Sequence, residues 1–226
     1  MRIHQNIEIR GLYLYLIQEK VLILSDPHIG YEEAMQRRGV LIPNFQFSDL
    51  KKNLLPVLGD VTTVVINGDF KHEFGTILYS ERKQTKWLLD LFQGKRIIFI
   101  QGNHDKILKS LVPKMEITDH VQFGKIVICH GDVIKDIDCD VIIIGHEHVA
   151  IELKEGSRVE KFKCFLKGGY NGKVLIAMPS CNPLTTGTDM LREQRLSPYL
   201  QQNLDAFEVY VVSEKIYNFG RVKDLL

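Results

Sequence analysis

Five short runs of consecutive apolar residues, at 21–24, 64–66, 97–100, 126–129 and 141–144, are rich in Val and Ile and bounded by Gly, Asp or Asn. Unbroken runs of this kind predict strands buried on both faces. Segments of helical period lie between some of them. Helices are predicted over 32–38, over 47–58 with Ser48 as cap and Pro56 near the end, over 79–92, and over 106–111 with Asp105 as cap. The third is the clearest, because Leu78, Trp87, Leu88, Leu91 and Phe92 form one apolar stripe. Trp87 is therefore expected in the core rather than stacked on a base. Strand and helix alternation predicts a layered α/β core.

The two ends of the chain read differently. Residues 12–17 and 21–24 flank Gln18-Glu19-Lys20, and 207–212 and 216–219 flank Ser213-Glu214-Lys215. Residues 162–167 and 174–177 flank a Gly-Gly-Tyr-Asn-Gly turn, the strongest hairpin signal in the chain. These hairpins predict a mixed sheet, or a second sheet packed on the first. Residues 178–198 predict a long loop, a length that in compact domains tends to carry function. No linker or repeat divides the chain, so residues 1–226 are expected to form one domain.

Composition narrows the class. With 226 residues, 45% of them hydrophobic, the chain has ample material for a core, which excludes disorder. A formal net charge of +1 excludes a strongly basic nucleic-acid coat. No apolar stretch approaches the roughly 18 to 20 residues of a membrane span, and residues 1–10 lack a signal-peptide core. Cys129, Cys139, Cys164 and Cys181 form no C-x-x-C pair, so buried free thiols and a reduced, cytoplasmic protein are expected.

Each of the five runs ends in a polar cluster. In order these are Ser25-Asp26-Pro27-His28, Asn67-Gly68-Asp69, Gly102-Asn103-His104-Asp105, His130-Gly131-Asp132 and Gly145-His146-Glu147-His148. Strand ends in open α/β sheets are where ligands bind, so the five clusters can share one crevice. Two Asp, one Asn and four His form a donor set for Mn, Fe, Ni, Co or Zn rather than for Ca or a thiolate metal. Seven ligands exceed one tetrahedral ion and suit two ions sharing a carboxylate. Such a pair clamps a phosphate and holds a hydroxide between the metals. No Gly-x-Ser-x-Gly elbow or Walker loop offers another route.

This set, Asp26-x-His28, Gly68-Asp69, Gly102-Asn103-His104-Asp105, His130-Gly131 and Gly145-His146-x-His148, resembles the calcineurin-like metallophosphoesterases. The resemblance implies a four-layer α/β/β/α sandwich with mixed sheets around a dinuclear centre, manganese being the first expectation. It implies that Asp26, His28 and His148 hold one ion, that Asn103, His130 and His146 hold the other, and that Asp69 bridges them. It further implies that His104 protonates the leaving oxygen while Asp105 orients its ring.

Gly68-Asp69-Phe70-Lys71-His72-Glu73, Ile29-Gly30-Tyr31-Glu32 and Met178-Pro179-Ser180-x-Asn182-Pro183-Leu184 are similar to a small archaeal and bacterial branch. That branch is related to SbcD-type nucleases and ligase-associated DNA repair phosphoesterases. It implies a phosphodiester substrate, nucleotide or nucleic acid, and a DNA-repair partner or a homodimer. About 80 residues follow His148, little room for a separate DNA-capping domain. A phosphomonoesterase, a nucleotide pyrophosphatase and a non-catalytic metal-binding scaffold are the alternatives.

Other polar residues have plainer readings. His72 and Glu73 either line the site or belong to its loop, His120 is structural, and His4 is exposed. Arg37 and Arg38 face either the crevice or solvent. Residues 152–173 carry a mild excess of Lys and Arg, read as a solvated strand face before a nucleic-acid patch.

Overall fold

The computed structural model describes residues 1–156 and 158–225. Seven strands form the first sheet in chain order: β1 (Arg2–His4), β2 (Ile7–Arg10), β3 (Tyr13–Leu16), β4 (Val21–Ser25), β5 (Thr63–Asn67), β6 (Arg96–Ile100) and β7 (Glu116–Thr118). Its first four strands are antiparallel, and β4 to β7 are parallel. The second sheet comprises β8 (His120–Phe123), β9 (Ile126–Cys129), β10 (Val141–Ile144), β11 (Val149–Glu155), β12 (Arg158–Tyr170), β13 (Lys173–Ala177), β14 (Thr188–Asp189), β15 (Glu208–Val212) and β16 (Ile216–Arg221). Here β9, β10 and β13 are parallel, and the rest of the main pairings are antiparallel apart from the short β11–β14 contact.

The apolar runs are continuous because both faces of these strands are buried. Val21, Ile23, Val65, Ile98 and Ile100 point between the sheets, where they meet Ile128, Ile143, Phe165 and Ile176. Leu22, Leu24, Val64, Ile66 and Phe99 point the other way, onto helices. The chain's helices are α1 (Tyr31–Arg37), α2 (Gln46–Leu54), α3 (Tyr79–Leu91) and α4 (Leu108–Leu111), of which the last three supply that cover. The second sheet presents Cys129, Ile142, Ile144, Leu166 and Leu175 to its own outer layer. Met190, Tyr199, Leu200, Leu204 and Phe207 cover it from irregular chain, so among the described residues this fourth layer contains no α-helix.

All three expected hairpins form, as β3–β4, β12–β13 and β15–β16. In the second, Asn171 and Gly172 both take positive φ (48° and 78°), the backbone that a two-residue turn between twisted strands requires. Ser48 is not a cap: it lies inside α2 and its hydroxyl donates to the Phe45 carbonyl. The orphan amides at this helix start are met by the buried carboxylate of Glu32, which accepts from Phe45 and Gln46. Trp87 packs edge-on against Phe47 beside the core. All four cysteines are free and buried. No helix among the described residues is long and apolar enough to cross a membrane.

Candidate active site

The parallel strands β4, β5 and β6 of one sheet, and β9 and β10 of the other, end on the same side of the sandwich. The five polar clusters meet there, and four of them line a cleft of about 600 Å³, with His130 buried behind it. Their backbone is unusual. Asp26, His28, Asp69, His146 and His148 all have φ between 34° and 63°, in the left-handed region that costs non-glycine residues energy. A straight continuation of each strand would carry these side chains away from one another; the reversed backbone turns them toward a common point.

Two glycines make the approach possible. A Cβ at Gly102 would collide with the Asp69 carboxylate and backbone nitrogen, and one at Gly68 would enter the His130 ring.

The donor atoms fall into two groups on either side of Asp69. On one side, His28 Nε2 lies 3.2 Å from His148 Nε2 and 3.7 Å from Asp69 Oδ2, while His148 Nε2 is 4.0 Å from Asp26 Oδ2. On the other, His130 Nε2 lies 3.1 Å from both Asn103 Oδ1 and His146 Nδ1, and 3.6 Å from Asp69 Oδ1. His104 Nε2 stands 3.9 Å from Asp69 Oδ2.

Packing so many like groups together perturbs all of them. Burial, then the charge of Asp69, pushes the Asp26 carboxyl well above its ordinary range. Burial also pushes Asp69 up. Burial, then neighbouring imidazoles, holds His28 and His130 well below the usual histidine value, and burial first of all lowers His148 to about 3. Buried Asp26 Oδ1 and His130 Nδ1 face each other at 3.4 Å and make no other polar contact among the described residues. Converging lone pairs on neutral imidazoles, an amide oxygen and two carboxylates are what a divalent cation takes, and its charge would relieve the repulsion between the carboxylates. The residues therefore fit a metal.

Asp105 does not orient the His104 ring as expected. Its buried carboxylate accepts the backbone amides of Phe70, Lys71 and Gly102, at 3.1, 3.3 and 3.1 Å, and so ties the β5 loop to the β6 loop. The His104 ring is held instead by the carbonyl of His72, 2.7 Å from Nδ1. A carbonyl only accepts, so Nδ1 carries a hydrogen and Nε2 faces the cleft. His72 does line the site. Its Nδ1 lies 3.4 Å from His28 Nδ1, on the side of that ring away from His148, and His28, His72 and His104 form a second cluster of metal-ligating type.

Several supporting residues escaped the sequence reading. Lys163, one of the basic run at 152–173, is half-buried; its ammonium donates to the carbonyls of Ser180 (2.8 Å) and Asn182. Ser180 in turn donates to the Asp26 carbonyl at 2.6 Å. Gln46 holds the carbonyls of Pro27 and His28. Glu147, between two candidate ligands, accepts the amides of Leu196 and Ser197. Of the rest of the basic run, Lys161 is engaged with Glu193, Lys167 with Glu208, Arg158 with Glu160 and Lys173 with the Ile137 carbonyl; the side chain of Glu155 lies outside the described residues. Arg37 pairs with Glu33, and Arg38 with Glu73 at the cleft's edge. His4 is half-buried rather than exposed, and His120 binds Asp119 away from the cleft.

The family model described as calcineurin-like phosphoesterase matches residues 19–137, just over half of the chain. The chain belongs to the calcineurin-like phosphoesterase family. It is accordingly a metal-dependent phosphoester hydrolase. The matched span stops before His146 and His148, and the fold itself brings these two beside the residues within it. No curated protein matches this phosphoesterase in sequence.

Among solved structures, nuclease MPE of Pseudomonas putida superposes with a TM-score of 0.67 at 16% identity, over 92% of this chain and 91% of that one. A protein of unknown function from Aquifex aeolicus is 25% identical over 56% of this chain and 77% of its own, with a TM-score of 0.40. A predicted phosphoesterase from Streptococcus pneumoniae gives 16% and 0.36 over 89% and 97%. The first of these likenesses supports the sandwich fold across nearly the whole phosphoesterase.

Proposed function

We propose that the chain is a two-metal phosphodiesterase acting on nucleotides or nucleic acid. Asp26, His28 and His148 hold one divalent ion, Asn103, His130 and His146 the other, and Asp69 joins them. The observation that carries this reading is the division of the Asp69 carboxylate, with Oδ2 directed at the His28 group and Oδ1 at the His130 group. When bound, a pair of ions supplies Lewis-acid charge neutralisation and acidifies a water toward neutral pKa. Manganese leads among the metals this donor set accepts, with Fe, Ni, Co and Zn behind it.

The chain's own groups do the rest. A water oxygen forms the new bond to phosphorus and the bond from phosphorus to the leaving oxygen breaks. The leaving oxygen takes its proton from His104 Nε2. Burial lowers the His104 pKa, which makes the imidazolium a readier donor, while the His72 carbonyl holds the ring toward the cleft. The thiols are poor competitors as nucleophiles, since burial raises Cys129 to about 11 and Cys181 to about 12. Among the described residues no Lys or Arg lines the cleft, which favours a singly charged diester over a doubly charged monoester. The nuclease of the same fold supports that choice, and four buried free thiols suit a reducing cytoplasm.

The test uses Mn²⁺ and bis(p-nitrophenyl) phosphate. Mn²⁺ should raise the Tm of the native protein and switch on hydrolysis, and Asp69→Ala should lose both. His104→Ala should keep the rise in Tm and lose about 10²- to 10⁴-fold in kcat. Full activity in Asp69→Ala would overturn the metal assignment. Faster turnover of p-nitrophenyl phosphate than of the diester would overturn the choice of substrate.

A further inference from the structure

We propose that Phe74 is a stacking platform for the base of the leaving nucleoside, so that this enzyme selects diesters whose leaving group carries a planar ring. The inference rests on the reading of His104 as the general acid. The Phe74 ring lies over the His104 imidazole, with centroids 3.7 Å apart and planes tilted by 31°. It nevertheless remains 44% exposed, a large aromatic surface left open beside the cleft.

The loop that presents this ring is built rather than slack. The His72 carbonyl receives the His104 ring, and the amide of Glu73 donates to the buried carboxylate of Glu81 at 3.1 Å. The Glu73 carboxylate meets Arg38 at 3.5 Å. His72 and Glu73, which lead into Phe74, are therefore tied to three separate parts of the molecule.

Position gives the platform its meaning. A general acid must touch the oxygen that departs, so whatever that oxygen carries lies next to His104 and within reach of the ring lying over it. A base stacked on an exposed aromatic side chain gains affinity with little regard to its identity, because every base offers a π-face. An aliphatic leaving alcohol gains far less from such a surface.

Matched dinucleotides test this, carrying a tetrahydrofuran abasic residue in turn on the 3′ and the 5′ nucleotide, with the Mn²⁺-loaded full-length protein. The products identify the leaving side. Removing the base there should lower kcat/KM about 5- to 100-fold, chiefly through KM. Phe74→Leu, which retains apolar bulk over His104, should bring the ratio of base-bearing to abasic substrate near one, and Phe74→Trp should preserve it. A ratio near one in the native enzyme, or one unchanged by Phe74→Leu, overturns the platform while leaving the diesterase reading intact. Turnover of p-nitrophenyl phosphate with no hydrolysis of any diester overturns both.

Discussion

At the scale of single residues, the site depends on atoms that are absent. Gly102 has an ordinary backbone conformation, yet a methyl group there would meet both the carboxylate and the backbone nitrogen of Asp69. The backbone nitrogen cannot swing aside as a side chain would. Gly102→Ala should therefore move the carboxylate between the two donor groups while leaving the sheets folded. A displacement near 1 Å at a reacting centre costs on the order of 10²-fold in rate. The expected result is a circular dichroism spectrum like that of the native protein, a loss of the Tm rise with Mn²⁺, and a fall in diester hydrolysis of about that size. Native activity in this variant would show that the β5 and β6 loops can part to admit the methyl group without moving the carboxylate. Such glycines are visible in the sequence, as is the order of the polar clusters. The direction in which each carboxylate points is not. Asp105 follows a histidine and reads as its partner, but its lone pairs go to amides contributed by a loop some 35 residues earlier. Only the fold brings those amides within reach.

At the scale of elements, the legible parts were those with a local signal. Apolar runs with defined turns announced the three hairpins, and the helical stripe around Trp87 announced α3. The pair β1–β2 and the irregular layer over the second sheet had no comparable signal. Their side chains find cover only from distant chain, as Ile7 and Ile9 do against the second sheet and Tyr199 does against its outer face. Lys163 shows the same limit. On β12 it reads as one more surface lysine, because nothing local says that residues 178–188 fold over it. Lys163→Met should leave the carbonyls of Ser180 and Asn182 without their donor. Losing hydrogen bonds to a charged group costs roughly 1 to 3 kcal/mol. At about 2 to 4 °C per kcal/mol for a chain of this size, thermal unfolding should shift down by roughly 2 to 12 °C. Ser180 holds the Asp26 carbonyl, so apparent Mn²⁺ affinity should weaken together with the Tm. An unchanged Tm would mean that the long loop is held by its apolar contacts and not by this ammonium.

At the scale of the whole molecule, the near-neutral charge becomes a statement about how substrate arrives. Most proteins that grip nucleic acid do so by neutralising phosphates with Lys and Arg, and each such contact steepens the loss of affinity with salt by about 0.9 in log–log slope for duplex and about 0.7 for single strands. Here the net charge is +1, and many basic groups already have acidic partners: Arg10 with Asp60, Arg96 with Glu116, Lys125 with Asp138, Lys135 with Asp119, Arg192 with Glu152. Exposed pairs of this kind are individually weak, but each also lowers the potential its cation offers a phosphate. Among the described residues no Lys or Arg lines the cleft, so on the proposed reading attraction would come from the metals and be confined to the phosphates next to them. The KM for a single-stranded oligonucleotide, measured between about 50 and 200 mM salt, should then vary with a log–log slope no steeper than about 1 to 2, the value for one or two phosphates engaged. The same short footprint predicts that a trinucleotide is cut about as efficiently as a longer strand. A slope of 5 or more would require a row of phosphate contacts that the lining of the cleft does not offer. A second protein, or a second copy of this chain, would then have to supply the missing cations, and the slope should fall back when that partner is removed.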